Sequence, residues 1–289
     1  MRQTKISLLA KPMMKLAQRF PIEVSGSLFF RSLGIKADIF ETYRSKERQK
    51  ELLDKGKSWT LDSMHCKGLA IDIVLAEKEQ GIVQEYIWHE VFKGEKIYEV
   101  LSRMGVSAGF RSLGYSYGTD YYHLELPITF QGNAPHCYAF AIVNCLQKHK
   151  KEWRALHANI CAVRAANIVQ YIEEHKLLRG LPGALQAARA LGYIGGFGSF
   201  KPKDVNTWTE LNGRMLLISQ KKKNMGKVNR WKQHAKNIEA GLGIFNHATC
   251  FCHYEGGKIT VRNSHEKYPT YDLDTSLLDS SVQRFYEIS

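Results

Sequence analysis

Residues 62–74 read DSMHCKGLAIDIV, and the second half of this stretch alternates with the period of a β-strand. Asp72 shares one face of the predicted strand with Ala70 and Val74, and the opposite face is wholly apolar. A carboxylate in so apolar a strand is costly unless it is paired or bound to a metal. The stretch therefore predicts a strand that carries a functional carboxylate, with His65 seven residues before it.

A second motif, GTDYYHLEL at 118–126, places Asp120 three residues before His123 at the start of another apolar strand. Two imidazoles and one carboxylate make a zinc-binding set that leaves a fourth position for water. A further carboxylate, such as Asp120, can take the proton of that water. Taken separately, each histidine also fits an ordinary polar residue with a satisfied hydrogen bond.

Four stretches of the first half resemble zinc D-alanyl-D-alanine carboxypeptidases and L-alanyl-D-glutamate endopeptidases, a family that includes many phage endolysins. They are TYRSKERQKELLDKG (42–56), SMHCKGLAID (63–72), IYEVLSRMGVSAGF (97–110) and DYYHLEL (120–126), and they cover most of residues 35–127 in the family's order. The resemblance implies zinc ligands at His65, Asp72 and His123 and a general base at Asp120.

The same resemblance assigns two residues to the substrate. Arg44 matches an arginine that orients the substrate, and its planar fork suits a carboxylate or carbonyl group. Ser63 matches a serine of the motif that precedes the first histidine. The stretch GFRSLGYSYGTD (109–120) departs from the family, which is richer in Trp and Gly there.

The stretch LPITFQGNAP (126–135), with two prolines and a glycine, predicts a junction between two domains, 1–127 and 128–289. Beyond it the pattern predicts helices and then strands, which indicates an α+β fold for the second domain. The helices are expected at 137–150, about 160–177 and about 183–191, and the strands in RMLLIS, GIFNHATCFCHY and KITVRNS.

Cys137 stands at the start of the first of these helices, where free backbone N–H groups lower the pKa of a thiol. Pro135 is tolerated in a first helical turn. Farther along, YEGG (254–257) is a turn signal, and a hairpin centred near residue 255 would pair His247 directly with Asn263. An amide beside an imidazole can fix its tautomer, the orienting role in a nucleophile–base–orienter set.

This half resembles the papain-like cysteine proteases, on QGNAPHCYAF (131–140), on NHA followed by NS, and on RGLPGALQAARALGYI (179–194). The resemblance implies a trimmed papain-like domain, helical and then antiparallel β, that follows a small α+β zinc-peptidase domain. It also implies that Cys137 is the nucleophile, His247 the base, Asn263 the residue that orients the imidazole, and Gln131 a side-chain oxyanion donor. Pro135, Tyr138 and His265 replace the family's usual glycine and tryptophans, and the alternative interpretation is a packing thiol and a hairpin histidine.

The chain has 289 residues and a formal net charge of +13, which favours acidic partners such as an anionic cell wall. No nucleic-acid-binding signature is found, and the basic run 220–236 fits a solvated loop and helix face. Six cysteines without a CxxC pair predict reduced thiols. Cys250 and Cys252 share a strand face, as a metal pair or as buried core thiols.

Together these patterns predict a bifunctional peptidase of the phage type that hydrolyses bacterial peptidoglycan, with Zn²⁺ in one head and a Cys-His-Asn site in the other. The alternatives are a virion-associated processing protease, acting on peptides or other virion proteins, and a structural virion protein that retains hydrolase folds. No stretch reaches membrane-spanning length, and Lys11 and Pro12 interrupt the N-terminal apolar run. We therefore expect no signal peptide, and location in the host cytoplasm until lysis or on a phage particle.

Overall fold

A computed structural model gives the fold of the chain and describes residues 3–79, 82–114, 118, 120–131, 136–156, 158–220, 230–240, 247–265, 268–278 and 282–289. The chain divides into two compact units, Met1–Pro127 and Ile128–Ser289. Each unit combines helices with an antiparallel sheet of its own, so the predicted α+β class is confirmed.

The sheet of the first unit is built around one long central strand. Its order is β1-β2-β5-β4, and β3 pairs with the far end of β2. The strands are β1 Ile35–Glu41, β2 Ala70–Glu79, β3 Ile82–Ile87, β4 Arg111–Ser112 and β5 His123–Glu125. The register places Asp72 of β2 opposite His123 of β5 and Glu41 of β1, so three polar side chains meet on one face of the sheet.

Helices and short 3₁₀ turns complete the first unit. The helices are α1 Lys11–Gly26, α2 Leu28–Ser32, α3 Lys46–Asp54 and α4 Ile97–Ala108, and the turns are Ile6–Leu8 and Met64–Lys67. Helix α1 is not among the elements predicted from the sequence. It begins at Lys11 and Pro12, where proline is tolerated in a first turn, and its apolar face buries Met13, Ala17 and Phe20.

Four of the helices described in the second unit pack around one apolar core, and a fifth, which comes later in the chain, packs through Ile238 against another. They are α5 Cys137–His149, α6 Lys151–Arg154, α7 Ala158–Glu174, α8 Leu181–Ala190 and, later, α9 Arg230–Glu239. The three helices predicted from the sequence are confirmed, with small differences at their ends. Of the basic run 220–236, residues 221–229 lie outside the described residues. None of the helices in the described ranges is long and apolar enough to cross a bilayer.

A six-stranded antiparallel sheet follows, in the order β10-β9-β8-β7-β11-β6. The strands are β6 Phe197–Phe200, β7 Leu216–Gln220, β8 His247–Glu255, β9 Lys258–Arg262, β10 Thr270–Asp274 and β11 Val282–Ile288, with 3₁₀ turns at Pro202–Asp204, Trp208–Leu211 and Thr275–Leu277. Strands β7, β8 and β9 match the predicted runs. The other three were not predicted.

The register predicted for the β8–β9 hairpin is wrong. The strands pair Glu255 with Lys258 and, after a bulge between Phe251 and His253, Cys250 with Arg262. The turn is therefore the two-residue loop Gly256–Gly257, whose φ angles of 55° and 79° suit the tight turns that twist with the strands. His247 is consequently not directly opposite Asn263, which lies just beyond the end of β9.

The six cysteines are unpaired thiols. Cys250 and Cys252 are both buried, and Cys250 belongs to the core that α5, α7 and α8 form with the sheet. Of the two interpretations left open for this pair, the structure favours buried core thiols.

Candidate functional site

Three side chains of the first unit converge on one point, and they form the group with metal-ligand spacing among the described residues. His65 Nε2 lies 3.1 Å from Asp72 Oδ1 and 3.2 Å from His123 Nδ1. His123 Nδ1 lies 2.9 Å from the same carboxylate oxygen. All three side chains are at least nine-tenths buried. These are the three residues predicted as ligands.

Local structure explains how His65 reaches this point. The hydroxyl of Ser63 accepts a hydrogen bond from the His65 backbone N–H and caps the turn Met64–Lys67. Gly68 then ends the turn with a φ of 66°, a conformation that glycine adopts without strain. The chain can therefore reverse and enter β2, which carries Asp72 back beside His65. Ser63, predicted to contact substrate, has this capping role in the structure.

The outer nitrogen of each imidazole has a fixed acceptor. His65 Nδ1 donates to the carbonyl of Thr42 at 2.5 Å, and His123 Nε2 donates to Glu125 Oε1 at 3.1 Å. A neutral imidazole carries one N–H. If that N–H makes the outer hydrogen bond, the ring nitrogen that faces Asp72 carries a lone pair. When both rings are neutral, three acceptor atoms therefore meet at one point, an arrangement that favours a bound cation.

Glu125 is itself held by a buried ion pair. Arg111 donates to Glu125 Oε2 from Nε at 2.9 Å and from Nη2 at 2.6 Å. Although burial would raise it, Arg111 and His123 hold the pKa of Glu125 well below its ordinary value. Sequence reasoning missed both residues. The available signal was the spacing His123-x-Glu125, which puts the two side chains on one face of a strand.

The chemistry of this donor set fits zinc. Two ligand atoms of a tetrahedral zinc site, each about 2.0–2.1 Å from the metal, lie about 3.3 Å apart, close to the separations observed here. A histidine whose outer N–H is bound to a carboxylate or carbonyl is the usual form of a zinc ligand. In the metal-free chain, burial works against a charge on His123, but Asp72 and Glu125 raise its pKa to about 10. The cluster thus attracts positive charge.

Asp120 lies beside this group, in the loop before β5. Its backbone has a φ of 56°, and its carbonyl accepts a hydrogen bond from the His123 N–H. Burial raises the pKa of Asp120, although the nearby histidines oppose the shift. Its Oδ1 is buried and has no hydrogen-bond partner among the described residues. A buried acceptor without a donor indicates a position where water or substrate is bound.

Arg44 also reaches the cluster, where its guanidinium is held by protein groups. Its Nε and Nη2 donate to Glu41 Oε2, and its Nη1 donates to Gln49 Oε1. Nη2 lies 3.5 Å from Asp72 Oδ2. Arg44 therefore neutralises Glu41 and faces the outer oxygen of Asp72, in addition to any contact with substrate.

The second unit contains another polar group, at the start of α5. Cys137 is the first residue of this helix and is partly exposed. Burial raises the pKa of Cys137, and it outweighs the N–H groups of Ala248, Tyr138 and Cys137 itself, which lower it. The contribution of Ala248 places the thiol beside the start of β8. Pro135 and the rest of 132–135 lie outside the described residues.

His247, the first residue of β8, is hydrogen-bonded to Asn263 through Nε2 and Oδ1 at 2.6 Å. The orientation of the amide is fixed, because Asn263 Nδ2 donates to the carbonyl of Tyr268 at 2.8 Å. Oδ1 therefore faces the imidazole and accepts a hydrogen bond from its Nε2–H. The ring of His265 lies alongside, with its centroid 5.1 Å from that of His247. The predicted contact is thus present despite the different strand register.

Gln131 is buried next to this pair. Its backbone N–H donates to the Ser264 carbonyl at 2.9 Å, and the Ser264 hydroxyl donates to Gln131 Oε1. Because the side-chain oxygen accepts this bond, the amide nitrogen is directed away from Ser264. The residue after Asn263 therefore orients the predicted oxyanion donor, a function that sequence reasoning did not assign to Ser264.

No protein-family model matches the chain, and neither does any curated protein. Solved structures with remote similarity include two peptidases and a further protease. An L-Ala D-Glu endopeptidase, ChiX, from Serratia marcescens is 20% identical over 44% of this chain and 90% of its own, with a TM-score of 0.31. A vancomycin-resistance D,D-pentapeptidase, VanY, in complex with Zn(II) is 19% identical over 41% of this chain and 72% of its own, with a TM-score of 0.26.

The third structure is a double-glycine-motif protease from an AMS/PCAT transporter in complex with its leader peptide. It is 13% identical over 56% of this chain and 91% of its own, with a TM-score of 0.34. Scores this low carry no argument about function, which rests on the geometry of the two sites.

Proposed function

We propose that the chain is a bifunctional peptidase that hydrolyses bacterial peptidoglycan. Residues 1–127 form a zinc-dependent head that cuts the stem peptide, and residues 128–289 form a papain-like cysteine head that cuts a second peptide bond. The observation that carries the proposal is the convergence of three atoms able to bind a metal, from His65, Asp72 and His123, within 2.9–3.2 Å of one another.

In the zinc head, His65, Asp72 and His123 would hold the metal. When bound, zinc supplies a Lewis acid that lowers the pKa of a water molecule and polarises a carbonyl group. Thr42 and Glu125 keep the two imidazoles turned toward the metal position. Asp120 takes the proton of the attacking water through its unpartnered buried oxygen and passes it to the leaving amine.

In the cysteine head, His247 takes the proton of Cys137, and the sulfur attacks the substrate carbonyl. Asn263 keeps the imidazole in the tautomer whose Nε2 carries the proton, which leaves Nδ1 to act as the base. Gln131 and the Cys137 N–H stabilise the developing oxyanion. The raised pKa of Cys137 means that the thiol depends on His247 rather than on the helix start alone for its activation.

Peptidoglycan is the proposed substrate because the motifs of the first half resemble enzymes of its stem peptide. The net charge of +13 would prolong contact with an anionic wall. A phage lysin present in the host cytoplasm until lysis, or carried on the particle, is the biological setting that we propose.

The test is hydrolysis of purified peptidoglycan by the wild type, Asp120→Ala and Cys137→Ala, with the released fragments identified by mass spectrometry. We expect each variant to lose one class of fragment by at least a hundredfold and to retain the other, as for removal of an essential catalytic group. Wild-type hydrolysis by Asp120→Ala would contradict the zinc head. If the wild type itself releases no fragments, the proposed hydrolase function is wrong and the alternative, a structural protein in which hydrolase folds are retained, is favoured.

A further inference from the structure

Asn144 is hydrogen-bonded to both backbone groups of Thr129, which lies in the segment that leads to Gln131. Asn144 Oδ1 accepts the N–H of Thr129 at 2.7 Å, and Asn144 Nδ2 donates to the carbonyl of Thr129 at 3.3 Å. Asn144 is fully buried and Thr129 almost so. A side-chain amide thus replaces a β-ladder partner for one residue and fixes its position along the helix.

The position of Asn144 on its helix gives this contact a consequence. Asn144 follows Cys137 by seven residues on α5, which is two helical turns, so both side chains lie on the same side of the helix. Gln131 follows Thr129 by two residues. The amide of Asn144 therefore links the helix that carries the nucleophile to the segment that carries the oxyanion donor.

A second polar residue of α5 touches the same segment in a different way. Gln147 Oε1 accepts from the hydroxyl of Thr129 at 2.9 Å, and Gln147 Nε2 contacts Cys161 Sγ at 3.3 Å. Gln147 is also fully buried. It holds only the side chain of Thr129, so its removal leaves the two backbone bonds to Asn144 in place.

We propose that Asn144 is a positioning residue that sets the amide of Gln131 relative to Cys137. The inference rests on the proposed cysteine head. Without Asn144, two buried backbone groups of Thr129 lose their partners and the segment shifts to satisfy them. Ser264 would still be hydrogen-bonded to the Gln131 side chain, but the link from Gln131 to the helix that carries Cys137 would be lost. An oxyanion donor displaced by about 1 Å no longer stabilises the intermediate.

The experiment compares two reactions of Cys137 in the full chain, each followed by mass spectrometry of the Cys137 peptide. With p-nitrophenyl acetate, the thiolate attacks the carbonyl, an oxyanion forms and collapses, and p-nitrophenolate leaves. With iodoacetamide, the thiolate displaces iodide and no oxyanion forms. The ratio of the two rates reports the oxyanion donor alone, and Cys66, which is also partly exposed, serves as an internal control.

We expect Gln131→Ala and Asn144→Ala each to lower this ratio at Cys137 at least tenfold, with no further fall in the double variant, because both act through one donor. Gln147→Ala should keep the ratio within about twofold of wild type. If Asn144→Ala does not fold, Asn144→Ser, a neutral variant whose shorter side chain cannot make both bonds to the Thr129 backbone, should also lower the ratio.

The outcomes separate the inference from the function on which it rests. If Gln131→Ala lowers the ratio but the asparagine variants do not, or the two effects multiply, the positioning role is wrong and the cysteine head stands. An equal fall in Gln147→Ala would also overturn it, since general loosening of the helix would then explain the effect. If Gln131→Ala leaves the ratio unchanged, both the cysteine head and the inference fall.

Discussion

Glu125 shows how much the geometry of the His65, Asp72 and His123 cluster depends on a neighbouring residue. Glu125 accepts a hydrogen bond from the outer N–H of His123, and Arg111 holds Glu125 in place through two further hydrogen bonds. With Glu125 fixed, the ring of His123 can expose only Nδ1 to Asp72. The buried Glu125–Arg111 ion pair thus determines which nitrogen of His123 faces Asp72.

We predict that Glu125→Gln weakens zinc binding about 10- to 100-fold, because partners of this kind contribute that much to metal affinity. Affinity would be measured by competition with a chromogenic chelator. Circular dichroism would check that the variant is folded, since Arg111 loses a charged partner. Glu99→Gln, which removes an ion pair from the surface of α4, is the control. Equal affinity in all three proteins would contradict the role of Glu125.

His149, at the end of α5, makes the second unit sensitive to acid. Burial and the charges of Lys148, Arg262 and Arg154 lower its pKa to about 3. In an unfolded chain its pKa is about 6.5. Between these values the unfolded state binds a proton that the folded state does not. The stability that His149 contributes is therefore present above pH 6.5 and is lost as the pH falls toward 3.

Lowering the pH from 7 to 4 should cost the wild type about 1–2 kcal/mol more of unfolding free energy than His149→Gln, after allowance for solvent screening. Urea unfolding at several pH values gives these free energies. The exposed His175 provides the control variant His175→Gln, which should follow the wild type. Parallel pH curves for wild type and His149→Gln would show that His149 does not titrate between the two states.

At the scale of elements, helix α8 depends on a close approach that only glycine allows. A Cβ on Gly183 would lie 1.9 Å from the carbonyl oxygen of Leu178. Gly180, just before the helix, has a φ of 119°. The loop from α7 therefore folds back directly onto the first turn of α8, which packs its other side into the apolar core.

Gly183→Ala should destabilise the second unit by about 1–3 kcal/mol or more, since either the helix or the loop must move. Gly198→Ala is the matched control, because a Cβ there meets nothing within 4 Å. Thermal unfolding would measure both. A Tm for Gly183→Ala equal to that of Gly198→Ala would mean that the loop yields without cost.

The elements also show what the sequence could predict. Strand β2 and helix α5 follow from local periodicity, and the motifs around β2 and β5 identify the three side chains that lie together, His65, Asp72 and His123. The β8–β9 register could not be predicted, because it depends on which two residues of the YEGG stretch (254–257) form the turn and on a bulge. Strand β11, last in sequence, pairs with β7 and β6. Such long-range pairing leaves no local pattern.

The second group of candidate residues was predicted less completely for a similar reason. Cys137, His247 and Asn263 carry sequence signals, whereas Ser264 and Asn144 act through contacts with distant segments. Asn144 also lies in an apolar helix, where an amide without a partner would be costly. Its position among apolar residues could have predicted that Asn144 is buried with a hydrogen-bond partner. The identity of that partner, Thr129, depends on tertiary structure.

At the scale of the whole molecule, the chain contains two units, and each has its own sheet and its own group of chemically capable side chains. The first group is the more completely assembled. Three side chains with metal-ligand spacing lie together with a fixed hydrogen-bond acceptor for the outer nitrogen of each imidazole and one unpartnered carboxylate oxygen. A two-headed peptidase requires above all that this group binds zinc.

Metal analysis of the purified full chain tests this most directly. After equilibration with zinc and extensive dialysis, we predict about one zinc ion per chain for the wild type and for His89→Ala, an exposed histidine of the same unit, and less than about a tenth for His65→Ala. A folded wild-type chain that retains no more zinc than His65→Ala would contradict the central claim.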